Sequence, residues 1–321
     1  MITAVDDYTH PVGPESNFNE SMYFEFHDPN QGISGFLRVA NRPNEGRGER
    51  TVCLYLPDGS LGFSFDRPSV RANTAMAAAG LAVEVRRPLE SLRITFDGEV
   101  HLIGNPKTMV EPKAALSTSP RVTCRIALDY DAMSLPYAET FDADGHSFAP
   151  HHYEQLAVVS GQVCAGTRTV SIGGHGLRDH SWGPRSWQAP WFYRWLHGSC
   201  DGFGFMVAYF GDPDGTSRRG GFIFNGGALH ACSDIEISTD RGADGYPQAI
   251  EVRAQAGGRR WRLRGDALAA VPLRHRGNDQ TPSTRIVETT MRWRTDAGTE
   301  LHGMAEYLDQ LRDAQPVGNH V

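Results

Sequence analysis

The sequence is short of most features that announce a function. Its five cysteines, Cys53, Cys124, Cys164, Cys200 and Cys232, are odd in number, widely spread and never in a Cys-x-x-Cys pair. They suit neither a disulfide framework nor a zinc knuckle and read as small buried hydrophobes. No apolar run approaches the ~18 residues of a membrane-spanning helix, and residues 1–14 are polar and acidic, without the basic-then-apolar pattern of a secretory signal. A cytoplasmic protein with no membrane span is therefore expected. There is no basic surplus either: the net charge of -7 provides no field to attract nucleic acid. Helical periodicity is nearly missing, and only Val70 to Ala79 offers a short helix or lid. Ser181 has no Gly-x-Ser-x-Gly elbow, and no strand-to-helix transition follows Gly173-x-x-Gly176 to make it a dinucleotide loop.

What is present is period-two alternation. Met22, Phe24 and Phe26 alternate with polar neighbours, turn through Asp28 to Gly32 and return along Ile33 to Ala40. Thr51 to Leu56 and Leu61 to Phe65 flank a Pro57-Asp58-Gly59 turn. Leu81 to Val85, Leu92 to Ile103, Arg121 to Tyr130 and Tyr153 to Ile172 continue the pattern, as do Phe203 to Tyr209, Gly220 to Asn225, Ile250 to Ala254, Ile286 to Arg294 and Leu301 to Leu308. Many strands at short, turn-marked spacing imply an all-β protein of sandwich or barrel type. At 321 residues, the expected division is two consecutive antiparallel β domains, 1–188 and 189–321, joined near Gln188 to Pro190. No motif is duplicated between the halves.

One stretch carries the unusual chemistry. Between Gly173 and Trp195 lie four of the six tryptophans, with Arg178, Arg185 and Arg194, His175 and His180, and Asp179. Acids and bases are rarely set beside clustered aromatics unless they are paired or used. An aromatic wall that desolvates Asp179 would make it a proton donor near neutral pH, whereas a dominant arginine would do the reverse; the alternative is an Asp, His and Arg cluster that pins a domain junction. Trp182, Trp187, Trp191, Tyr193 and Trp195 offer π faces that stabilise developing positive charge. Glu154 and Glu306 each place an acid beside a tyrosine, Tyr153 and Tyr307, in strand-like surroundings. His151, His152, His175, His180, His197 and His230 show no recognised ligand spacing, and His175 and His180, five apart, point to opposite faces of a strand. We expect no metal and no cofactor.

The run His175-Gly-Leu-Arg-Asp-His-Ser-Trp-Gly-Pro-Arg185, with Tyr153-Glu154-Gln155 upstream and Glu306-Tyr307 near the end, resembles the lipocalin-like hydratase and cyclase superfamily. That superfamily includes carotenoid 1,2-hydratases, with kievitone hydratase, tocopherol cyclase and certain Diels–Alderases as relatives. The resemblance implies two consecutive lipocalin-like (calycin-like) antiparallel β-barrel or sandwich domains, with a hydrophobic-ligand pocket at or near their junction. It also implies that Asp179 matches the proton donor of the carotenoid enzymes. Arg178 precedes this acid where those enzymes tend to carry an aromatic, and a cation there would bind an anionic substrate group or lower the proton affinity of Asp179. The expected function is a cofactor-independent lyase or isomerase that acts on an unsaturated terpenoid, prenylated or polyketide compound by acid-initiated hydration, cyclisation or isomerisation. Asp179 would be the acid, His180 its orienting partner and Glu306 a further catalytic carboxyl. Arg178, Trp182, Trp187, Trp191, Tyr193, Trp195, Glu154 and Tyr307 would hold the substrate. The alternatives are a carrier of hydrophobic ligands and a pericyclic catalyst.

Overall fold

Alternating apolar and polar residues between turn residues put most of the chain into antiparallel strands. The computed structural model describes residues 2–138, 150–187, 189–275 and 283–321. The chain divides into two compact units, residues 2–105 with 114–186, and residues 106–113 with 187–321. Of the junction expected at Gln188 to Pro190, Gln188 lies outside the described residues.

The strands of the first unit are β1 (Phe18–Asp28), β2 (Ile33–Arg42), β3 (Arg47–Tyr55), β4 (Leu61–Asp66), β5 (Ala77–Ala78), β6 (Leu81–Arg87), β7 (Ser91–Ile103), β8 (Arg121–Ala132), β9 (Tyr137–Ala138), β10 (His151–Ala165) and β11 (Arg168–Pro184). Eight of them close into a ring in the order β1, β2, β3, β4, β7, β8, β10, β11 and back to β1. The ring shuts where Leu61, Gly62 and Phe63 of β4 pair with Ile103, Leu102 and His101 of β7. Its interior takes every second residue of each strand, including Met22, Phe24, Phe26, Leu37, Val39, Ile94, Leu128 and Val159. Each fully buried side chain of this size contributes roughly 1.5–3 kcal/mol of transfer free energy.

The second unit comprises β12 (Phe192–Cys200), β13 (Phe203–Gly211), β14 (Ser217–Asn225), β15 (Ala228–Arg241), β16 (Pro247–Ala256), β17 (Arg259–His275), β18 (Thr284–Thr295), β19 (Glu300–Arg312) and β20 (Gln315–Pro316). β12 to β19 follow one another around a second closed ring, with β19 returning to β12. Its core includes Leu196, Phe205, Val252, Leu263, Met291, Trp293 and Ala305. Both units are thus eight-stranded up-and-down antiparallel barrels, a repeat that has no trace in the sequence. Each also buries an arginine paired with an aspartate. Arg178 meets Asp7 at 2.5 Å in the first unit, and Arg194 meets Asp309 at 3.0 Å in the second.

Two expectations need correcting. Val70 to Ala79 forms neither helix nor lid helix; apart from β5 it is irregular, and the described α-helix is Pro112–Thr118. Tertiary bonds override its alanine content. Asn73 donates to the His10 carbonyl at 2.8 Å and to Glu20, and the Met76 carbonyl accepts from Val83 N. The cysteines also divide: Cys53 and Cys124 are buried, while Cys164, Cys200 and Cys232 are partly exposed, and none of the five is in a disulfide.

Candidate functional site

The first half of the chemically dense stretch is a strand, with Trp187 and Trp191 in the connection that follows and Arg194 and Trp195 in β12. Residues 168–184 form the single strand β11, so its mixture is sorted by period two onto opposite faces. Gly174 and Gly176 let it lie close to β1, because a Cβ at either position would run into the carbonyl of His27 or Glu25. Gly183, with φ 115°, makes room for Pro150.

Arg178, His180 and Trp182 face the interior of the first barrel, level with Phe24, Met22 and Glu20 of β1 and with Gln155, Tyr153 and His151 of β10. Residues that precede β1 come to the same place. Asp7 accepts from Arg178 and from Tyr153 Oη, and Arg178 Nε donates to Gln155 Oε1 at 2.9 Å. Burial would raise the proton affinity of the Asp7 carboxyl, but the Arg178 charge and these hydrogen bonds outweigh it and lower its pKa.

Beside this pair, Glu20 Oε1 meets His10 Nδ1 at 2.7 Å and His180 Nε2 at 2.8 Å, and Glu20 Oε2 accepts from His10 N at 2.9 Å and from Asn73. Desolvation opposes ionisation of Glu20, yet the bonds from His10 and His180 hold its pKa down to about 2. Trp182 is stacked on His10 with centroids 3.8 Å apart and also on His151 at 5.2 Å. His10, Glu20 and His180 together could hold a metal ion. A cavity of about 190 Å³ adjoins the network, lined by Asp7, Tyr8, Met22, Met76, Val83 and Val85 among others. None of the expected tryptophans lines it.

Asp179 lies on the opposite face of β11. The expectation that His180 orients it is not met, because neighbours in one strand point apart. Its partner is His152, with Nε2 3.3 Å from Asp179 Oδ2 and 3.5 Å from Glu154 Oε1. Burial disfavours a charged His152, but the hydrogen bond to Asp179 and the charges of Glu154 and Asp179 prevail and raise its pKa. The Asp179 side chain is 18% exposed and makes no bidentate contact with an arginine among the described residues.

The second unit gathers a different subset. Tyr193 and Trp195 of β12 and Glu306 of β19 share a face, with Trp195 level with Glu306. Tyr193 Oη donates to Glu306 Oε1. Directly across from Glu306 stands Glu288 of β18, hydrogen-bonded to it, and both carboxyls are buried. Desolvation, followed by the charge and hydrogen bond of Glu306, pushes Glu288 well above the carboxylate range, so the pair retains a proton that a solvated acid would release. Tyr307 points the other way, into the barrel, where Arg194 stacks on it at 4.5 Å and Thr239 Oγ1 is 2.6 Å from its hydroxyl. Trp187 stacks on His275, with ring centroids 4.9 Å apart, and Trp191 lies under Arg312.

Residues 3–311 match the family model described as Domain of unknown function (DUF7064). The chain belongs to the DUF7064 family. No curated protein matches the sequence. Among solved structures, kievitone hydratase from Nectria haematococca is similar at a TM-score of 0.58 and 12% identity, over 96% of this chain and 93% of that one. CghA with Sch210972 is similar at 0.58 and 10%, over 94% and 90%. A putative AttH from Nitrosomonas europaea is similar at 0.56 and 13%, over 93% and 95%. At these identities the likeness establishes a shared fold. The lipocalin-like resemblance read from the Asp-His-x-Trp-Gly run is thereby borne out as fold.

Sequence reading of this DUF7064 chain missed Glu288, His152, Asp7, His10 and Glu20 as site members. Glu288 had a signal, an acid set within the β-branched, strand-forming run Ile286 to Thr290. The His10 and Glu20 pairing had none, since only barrel closure brings them to His180.

Proposed function

We propose that this DUF7064 protein is a cofactor-independent enzyme that protonates an unsaturated, largely apolar small molecule and so starts its hydration, cyclisation or isomerisation. The observation that carries the reading is the buried Glu288 and Glu306 pair, which keeps a proton beside Trp195 and Tyr193. A neutral carboxyl in low dielectric donates to a double bond, and adjacent aromatic faces favour the cation that forms. In this reading Glu306, with Glu288, takes the acid role first assigned to Asp179. Asp179 would instead keep His152 charged, and that pair is the second candidate donor. The reading is supported by the shared fold with a protein named for hydrating kievitone and with CghA, which was solved with the small molecule Sch210972. A carrier is the second reading, favoured by the cavity beside Met22 and Met76.

The test incubates prenylated phenols, terpenoids and polyene polyketides with the protein in deuterated water and follows products by mass spectrometry. One compound should gain a solvent deuteron, and Glu288→Gln and Glu306→Gln should each slow this by roughly 10²–10⁴-fold while the fold survives. Turnover within a few-fold of wild type in both variants would exclude the dyad, and loss in Asp179→Asn alone would transfer the role to His152. Saturable binding with no conversion of any compound would establish the carrier.

A further inference from the structure

We propose that His10, Glu20 and His180 form a binding site for one divalent transition-metal ion, independent of the acid chemistry proposed for the second unit. Two imidazoles and a carboxylate converge from three separate parts of the chain: the segment before β1, β1 itself and β11. Their donor atoms all lie within 4.8 Å of one another. His10 Nδ1 and His180 Nε2 stand 2.7 and 2.8 Å from the same oxygen, Glu20 Oε1. These are hydrogen-bond separations, so an entering ion replaces the two shared protons and the donors spread slightly around it. Two histidines and a glutamate are a donor set that binds zinc with a fourth position left for water, and the same set suits ferrous iron.

The surroundings are built for that role. The other ring nitrogen of His10, Nε2, is 3.4 Å from Asp6 Oδ1, the carboxylate and histidine arrangement that orients a ligating imidazole and raises its basicity. Glu20 Oε2 is fixed by His10 N and by the Asn73 amide, which is itself held by Asn41 at 2.9 Å when it accepts through Oδ1. Glu20 and His180 are fully buried, whereas His10 is 17% exposed and gives the site its route from solvent. His180 Nδ1 is buried with no hydrogen-bond partner among the described residues. Ligation through Nε2 moves the imidazole proton to that atom and leaves the Nε2 lone pair for the metal. The electron pairs come from the three side chains, the His180 proton shifts to Nδ1, the His10 Nδ1 proton is released to solvent because Nε2 already donates to Asp6 Oδ1, and no oxidant or reductant is involved. A bound ion would also tie the segment around Asp6 and His10 to the barrel.

The experiment uses the tag-free full chain, stripped with chelator and titrated with zinc chloride by calorimetry, with cobalt(II) as a spectroscopic probe. Wild type should take up one equivalent of zinc, show the visible bands of low-coordinate cobalt(II) and melt at a higher temperature with zinc than without. Asp6→Asn should weaken uptake by about 10–100-fold, as loss of an outer carboxylate does. His10→Gln, Glu20→Gln and His180→Gln should lose the equivalent, the bands and the melting shift together. If the Glu20 or His180 variant fails to fold, His10→Gln, on the partly exposed segment, carries the test. Absence of stoichiometric uptake in wild type, or uptake unchanged in His10→Gln, would overturn the proposal and leave the cluster as a proton-sharing network.

Discussion

Glu288 shows how one residue's environment sets its chemistry. In the folded chain its pKa is raised above the ordinary 4.5, first by burial and then by Glu306. The folded state therefore binds this proton more tightly than the unfolded state does. Stability from the group is complete below the unfolded value and is lost as pH rises from there through the folded value. Glu288→Gln keeps the shape and mimics the protonated form, so it should relieve that loss. Urea denaturation is the check: the variant should be more stable than wild type at pH 8, and the difference should shrink toward pH 4. A variant less stable than wild type at pH 8 would mean that Glu288 is ionised and paired in the folded chain. His152 illustrates the same rule for a base, since burial opposes its charge but the hydrogen bond to Asp179 and the charges of Glu154 and Asp179 raise its pKa.

At the scale of the element, β11 is organised by what it must approach. Gly174 and Gly176 are placed where β1 comes closest, with His27 and Glu25 carbonyls occupying the space of a side chain. Gly176→Val should therefore push the two strands apart and destabilise the first barrel by about 1–3 kcal/mol or more, the usual cost of overpacking. Chemical denaturation monitored by tryptophan fluorescence would measure it. Gly173→Ala is the matched control, because a Cβ there meets nothing within 4 Å, and it should change stability by less than about 0.5 kcal/mol. Equal effects in the two variants would show that close approach is not the reason for the glycines. The alternation along this strand also decides which residues can cooperate, with Arg178, His180 and Trp182 on one face and Asp179 on the other.

For the whole molecule, ring closure is the organising event. β1 with β11, and β12 with β19, pair residues far apart in the chain, and every strand in a ring then has both edges bonded. Strands outside the rings lack that protection. Amides of β5 and β20, two-residue strands paired along one edge, should exchange with deuterium well before those of β1, β11, β12 and β19, by several orders of magnitude in rate. Hydrogen exchange read by mass spectrometry or NMR would show it, and uniform exchange across ring and outlying strands would contradict closed barrels.

The strand content, the hairpins at Asp28 to Gly32 and Pro57 to Gly59, and the all-β class were all legible in the order of residues. Period-two patterning and turn chemistry act over two to five neighbours and need no tertiary context. The lipocalin-like fold was legible too, through a short motif. The partners of the chemical groups were not. Val70 to Ala79 reads as helix until Asn73 is engaged by His10 and Glu20, and Asp179 reads beside His180 until the strand turns them apart and supplies His152. Glu306 reads only as an acid beside Tyr307 until β18 and β19 align it with Glu288. The physical reason is the same in each case: proton affinity and ligand geometry depend on burial and on groups within about 4–6 Å, and such neighbours are fixed by strand register and barrel closure over separations that no local pattern encodes.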